Sequence, residues 1–104
     1  MAPLTVNALM RVLPLQSRAN VQEAMVCMFT SVRVGVEKPR TAFSGGEIAF
    51  LPSNALLCVF VKNVRSERPL NPIGRVENGI ELFDSARLGD VIQIRLAQDA
   101  TAQT

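Results

Sequence analysis

The first fourteen residues place their hydrophobic side chains with the period of a helix. The apolar positions are spaced i, i+3, i+4 and i+7, as on one helix face, at Val6, Leu9, Met10 and Leu13. Pro3 suits the first turn of a helix, and Pro14 cannot continue the hydrogen-bond ladder. We therefore predict a short amphipathic helix between these two prolines.

From Ala24 onward, short apolar or alternating stretches bounded by turn residues are typical of β-strands. We predict strands over Met25–Thr30, Val32–Val36, Glu47–Leu51, Ala55–Val61, Ile73–Glu77 and Val91–Leu96, and a second short helix within Ile80–Arg87. The run Ala55–Val61 is the most apolar and should be the central strand. The polar stretch Lys62–Pro69 is interpreted as a surface loop, and residues 97–104 should fray.

This pattern predicts a mostly β (α+β) fold, a barrel or closed sheet with helices at its ends. A chain of 104 residues can bury one core, so we expect a single domain over residues 1–104.

The amino-acid composition excludes several kinds of catalytic and metal site. The chain contains no His, Trp or Tyr, which excludes a Ser-His-Asp triad, a Cys-His pair and an imidazole metal site. We therefore predict no catalytic residues, no metal and no cofactor. The longest apolar run has seven residues, too few to cross a bilayer, and the N-terminus is a poor signal peptide, so a cytoplasmic protein is expected.

The two cysteines, Cys27 and Cys58, lie in the apolar stretches MVCMF and LLCVF. Their spacing matches no zinc or redox motif. A thiol in such surroundings behaves as a small hydrophobe, so both are predicted to pack in the core.

The second half of the chain resembles the small cyclophilin-like proteins of prokaryotes. The resemblance rests on Gly46–Pro52 followed by Ala55–Phe60, where an acidic-hydrophobic strand ends in proline before an "ALC-aromatic" strand. Asn71–Val76, with Gly79-Ile80 after it, is similar to the next block of the same family. The match extends from about Gly45 to Leu96, and the predicted first helix also fits the family.

The resemblance implies a cyclophilin-like β-barrel with two short helices. Family members begin with a β-hairpin before the first helix, whereas here the helix starts near residue 4, so the hairpin is expected to be missing. The barrel would then have open edges, and open edges pair with other strands. We accordingly predict a homodimer in which a second copy covers the gap.

The resemblance does not imply prolyl isomerase activity, because the Phe-His-Arg motif and the pocket Trp and His of true cyclophilins are lacking. It implies a shallow pocket bordered by Pro52, Phe60, Asn71 and Arg75. Of these residues, Asn71 and Arg75 could orient an anionic or amide-bearing ligand. Equally, Asn71 could only cap a turn before Pro72.

Three functions remain open from the sequence. The first is a non-catalytic homo-oligomeric module that binds a small ligand or an extended peptide, and the second is a divergent enzyme using the same pocket. A nucleic-acid binder using Lys62–Arg68 ranks last, because the basic cluster is short and has no stacking aromatic residues.

Overall fold

The computed structural model describes residues 2–22 and 24–94. Within them the chain forms two α-helices, one turn of 3-10 helix and eight strands. In chain order these are α1 Pro3–Arg11, β1 Leu15–Arg18, β2 Asn20–Val21, β3 Met25–Phe29, β4 Arg40–Phe43, β5 Glu47–Leu51, the 3-10 helix Pro52–Asn54, β6 Leu56–Phe60, β7 Val64–Arg75, α2 Ile80–Asp84 and β8 Val91–Ile94.

The strands form two antiparallel sheets. Six strands follow the order β2-β3-β6-β5-β7-β4, and β1 pairs with β8 in a separate two-stranded sheet. The chain passes from one sheet to the other at Ala19, whose N–H donates to the Asp90 carbonyl oxygen. Over the described residues the fold is thus mostly β, but the sheets do not close into a barrel.

Hydrophobic side chains cover both faces of the six-stranded sheet. Strand β6 lies between β3 and β5, and all five of its side chains are buried. One face holds a core cluster around Cys27, Cys58 and Phe60, and the opposite face holds a cluster in which Met28 and Phe50 pack with Leu9 of α1. Because an apolar cluster covers each face of β6, every side chain of this strand is buried. This explains the uninterrupted hydrophobic run in the sequence.

Most of the predicted elements are confirmed. The structure contains the first helix, the strands at Met25–Phe29 and Glu47–Leu51, and the central strand at Leu56–Phe60. The second helix is present but shorter than predicted, and the last strand is confirmed as far as Ile94. The remainder of that strand, and the predicted fraying of residues 97–104, lie outside the described residues.

Two predictions about strands and loops are wrong. The alternating valines Val32–Val36 form no strand, although Val32 is buried, because side chains rather than a neighbouring strand bond to this segment. The predicted loop Lys62–Pro69 instead contributes the first half of β7, which pairs with β4. The residues of this segment are polar because β4 and the first half of β7 are largely exposed. Periodicity alone did not distinguish such an exposed strand from a loop.

Candidate functional site

Strands β4, β5 and β7 meet around a surface cavity of about 620 Å³. Glu47 begins β5 and is paired in register with Arg75 at the end of β7, while Arg40 begins β4, on the other side of β7. We call this cavity the basic pocket; its lining consists of Lys38, Arg40, Glu47, Pro72, Gly74 and Arg75.

A tight turn fixes the single carboxylate of the basic pocket. The N–H of Ser44 donates to Oε1 of Glu47 over 2.9 Å, and the N–H of Glu47 donates to the Ser44 carbonyl oxygen. Gly46 within this turn has φ of 93°, in the left-handed region that glycine adopts without a steric penalty. The backbone therefore holds the Glu47 carboxylate before any ligand arrives.

Two arginines flank this carboxylate. Arg40 donates to Oε2 of Glu47, and its guanidinium also lies over the Phe43 ring, 4.8 Å from the ring centroid. Arg75 approaches Oε1 more loosely, with its Nη2 at 4.0 Å, and its side chain is 60% exposed. Because Arg75 makes only this long contact with Glu47, its guanidinium retains donors that can face the cavity.

The environment of Glu47 keeps its carboxyl ionised. Partial burial acts to raise the pKa of Glu47, but hydrogen bonds from Ser44 and Arg40 and the charges of Arg40 and Arg75 lower it by more. The pKa of Glu47 therefore lies below its ordinary value. With Lys38, Arg40 and Arg75 against one carboxylate, the pocket carries an excess of positive charge.

The four residues predicted to border a ligand pocket do not form one site. Phe60 is fully buried and stacks on Phe43, with ring centroids 4.7 Å apart. Pro52 starts the 3-10 helix, and Asn71 is also fully buried. Of the four, Arg75 alone lines the basic pocket.

The amide of Asn71 is occupied by contacts within the chain. Its Oδ1 accepts from the N–H of Glu37 at 2.8 Å, and its Nδ2 donates to the Thr5 hydroxyl at 3.0 Å and to the Gly35 carbonyl oxygen at 2.9 Å. These bonds attach both α1 and the segment of residues 31–38 to β7. Asn71 therefore holds elements together and is not a cap for the turn before Pro72.

The sequence pattern does not identify three charged residues of the basic pocket. Lys38 and Arg40 lie in a Lys-Pro-Arg stretch beyond the predicted strand Val32–Val36, and Glu47 is predicted only as the first residue of a strand. The pairing of Glu47 with Arg75 depends on the register between β5 and β7. In the sequence, the one signal of this site is the presence of opposite charges, Arg40 and Glu47, on either side of Ser44-Gly45-Gly46.

Other regions offer less for orienting a polar ligand. A cavity of about 290 Å³ between α1 and the six-stranded sheet is lined only by apolar side chains, including Leu9, Leu57 and Phe83. Among the described residues, no group of three or more Cys, Asp or Glu side chains is arranged to hold a metal ion. The described helices include none with the length and hydrophobicity needed to span a membrane.

Two antiparallel sheets, with a helix on one apolar face of the larger, define a small α+β protein whose polar cavity lies among its strands. The family model described as cyclophilin-like matches residues 1–95 of the chain. The chain therefore belongs to the cyclophilin-like family, as the motifs around Gly46 and Asn71 indicated. A comparison with curated proteins found no match.

Proposed function

We propose that this protein is a non-catalytic binding module whose basic pocket takes a small ligand bearing a carboxylate or phosphate group. The observation that carries the proposal is the placement of Lys38, Arg40 and Arg75 around a cavity with one carboxylate, Glu47. Charge-assisted hydrogen bonds from guanidinium groups are the strongest polar contacts available to such anions. An extended peptide would enter the same site through an acidic side chain or its terminal carboxylate.

The chemistry of the pocket favours binding over catalysis. A general acid needs a pKa near the working pH, whereas the neighbours of Glu47 lower the pKa of its carboxyl. A guanidinium group carries hydrogen-bond donors and no acceptor, so Arg40 and Arg75 suit anion binding and not general-base catalysis. The lining also contains no Ser, Thr or Cys nucleophile. A divergent enzyme using this pocket is therefore the weaker alternative.

Titration with inorganic phosphate and, separately, with succinate tests the proposal, because both probes are oxyanions but one carries a phosphate group and the other carboxylates. We expect Arg75→Ala to weaken binding about tenfold, since losing a charge-assisted hydrogen bond costs about 1.5 kcal/mol or more. Glu47→Gln should tighten binding, because it removes the negative charge that competes with the ligand. Amide chemical shifts followed by NMR give both the affinity and the location of binding.

Arg65→Ala is the matched control, because it removes the same charge from an exposed position near the other end of β7. It should leave phosphate affinity within about twofold, a change of roughly 0.4 kcal/mol. If Arg75→Ala and Arg65→Ala lost phosphate affinity equally, binding would depend on the net charge of the protein and not on the basic pocket. Isomerase activity on a proline peptide clearly above background would contradict the non-catalytic part of the proposal.

A further inference from the structure

The two cysteines that the sequence separates by thirty-one positions lie side by side in the structure. Their Sγ atoms are 3.2 Å apart and share a hydrogen bond, and each residue is 1% exposed. We propose that Cys27 and Cys58 form a site of reversible oxidation, in which a peroxide converts the two thiols into a disulfide joining β3 to β6. The proposal does not depend on the function of the basic pocket.

The strand register suits a cross-strand disulfide. Cys27 and Cys58 are directly opposed on antiparallel strands. Backbone hydrogen bonds join Ala24 to Val61 and Thr30 to Ala55, which are opposed pairs of the same ladder. Because hydrogen-bonded and non-hydrogen-bonded pairs alternate along such a ladder, the cysteine pair falls at a non-hydrogen-bonded position.

Opposed residues at non-hydrogen-bonded positions have Cα atoms about 4.5 Å apart, within the range that a disulfide spans. The sulfur atoms need to approach by only about 1.2 Å to reach bonding distance. Side-chain rotation can provide an approach of this size without separating the strands.

A cavity adjoins the pair on one side of the sheet and offers a small oxidant an approach to the buried thiols. Both cysteines line a cavity of about 470 Å³, which we call the thiol cavity, and Arg65 and Arg68 lie among its polar residues. A peroxide is small and neutral, so it fits a cavity of this volume. In an apolar core without such an opening, two cysteines would be expected to stay reduced.

Burial and the shared hydrogen bond act on the pKa of both thiols. The hydrogen bond with Cys58 lowers the pKa of the Cys27 thiol and outweighs the opposing effect of burial. The same hydrogen bond, together with burial, raises the pKa of the Cys58 thiol. Since the thiolate is the nucleophile, the cysteine that ionises attacks the peroxide and its neighbour, 3.2 Å away, then resolves the intermediate.

The reaction with hydrogen peroxide balances in two steps. One cysteine thiolate attacks the peroxide, so an S–O bond forms, the O–O bond breaks, and the leaving hydroxide combines with the proton that this thiol released to give water. The sulfur of the second cysteine then attacks this sulfenic acid, so an S–S bond forms, the S–O bond breaks, and the leaving hydroxide takes the proton of the second thiol. Overall two thiols are oxidised and one peroxide is reduced to two waters.

Intact-mass spectrometry of the folded protein after treatment with dilute hydrogen peroxide tests the proposal. We expect both thiols to disappear together, with the loss of two hydrogen atoms per chain and no covalent dimer. Tryptic digestion without reductant should yield one linked species containing residues 19–33 and 41–62. Dithiothreitol should restore both thiols.

Two single variants test whether the reaction needs both thiols. Cys58→Ala and Cys27→Ala should each form no disulfide within the chain, and dimedone should then label the sulfenic acid on the remaining cysteine. Circular dichroism establishes that each variant is folded. The wild-type measurement decides the proposal even if a variant fails to fold.

Three outcomes would overturn the proposal. One is that both thiols persist in the folded protein under conditions that oxidise the urea-unfolded chain. Another is that peroxide adds oxygen to the cysteines without linking the two tryptic peptides. The third is a disulfide that forms only between separate chains.

Discussion

The buried amide of Asn71 connects three parts of the chain, and its removal should be costly. It bonds to Thr5 of α1 and to Gly35 and Glu37 of the segment beside β7. Asn71→Ala leaves these partners unsatisfied inside the protein, and each such group costs about 1–3 kcal/mol. Since some partners can rebond to water, we expect a total loss of about 2–4 kcal/mol in the free energy of unfolding.

Urea unfolding monitored by circular dichroism measures this loss. Asn78→Ala is the control, because Asn78 is exposed and lies outside the strands. A loss below about 1 kcal/mol for Asn71→Ala, comparable to an ordinary surface substitution, would show that these hydrogen bonds are not important for stability.

At the residue scale, local sequence patterns predicted which side chains are buried but not which residues they contact. The apolar runs around Cys27 and Cys58 correctly placed both thiols in the core. Their direct contact depends on the register between β3 and β6, which no local pattern reveals. The role of Asn71 was hidden for the same reason, because its partners lie 34 to 66 positions away in the sequence.

At the element scale, the N-terminus of α1 obtains its cap from a distant residue. Ala2 at the N-cap position makes no side-chain hydrogen bond. The Glu37 carboxylate instead accepts from the N–H groups of Leu4 and Thr5, at 3.0 and 2.9 Å, and from the Thr5 hydroxyl. A carboxylate at this end of a helix also interacts favourably with the helix dipole.

This contact makes the stability of the protein depend on pH. Desolvation acts to raise the pKa of Glu37, but the hydrogen bonds from Leu4 and Thr5 and the charge of Lys38 lower it below its ordinary value of 4.5. The stabilisation is therefore present above that value and is lost as pH falls through the lower pKa of the folded state. We expect Glu37→Gln to lose less stability than the wild type as the pH falls below 4.5.

Urea unfolding at a series of pH values tests this prediction through the difference between variant and wild type. Glu67→Gln, which changes an exposed carboxylate on β7, should follow the wild-type pH dependence. If Glu37→Gln follows it as well, the carboxylate does not stabilise α1 through its charge.

Whether the sequence could predict an element depended on what its side chains and its backbone contact. α1 and the strands β3, β5 and β6 pack apolar side chains in a regular period, so their patterns were sufficient. The segment of residues 31–38 also alternates, but its backbone bonds to side chains such as Asn71 instead of a neighbouring strand. Periodicity describes which side chains are buried and does not identify the partner of the backbone.

At the scale of the whole molecule, the described strands leave sheet edges without partners. The six-stranded sheet ends at β2 and β4, and within the described residues β8 pairs only with β1. Unpaired edges template the addition of further strands unless they are protected. Two apolar side chains are exposed at the start of β8 and just before it in the sequence, Val91 at 55% and Leu88 at 76%. We propose that a second copy of the chain pairs at β8.

Light scattering on a size-exclusion column should then give a mass of about twice the 11.3 kDa chain. Val91→Lys should yield the monomer, because a lysine at a strand edge opposes pairing with another strand. Leu4→Lys is the matched control, since it adds the same charge at an exposed apolar position on α1 and should leave the dimer intact. A monomeric wild-type protein would contradict self-association, whereas a dimer that survives Val91→Lys would place the contact elsewhere, with the β4 edge beside the basic pocket as the next candidate.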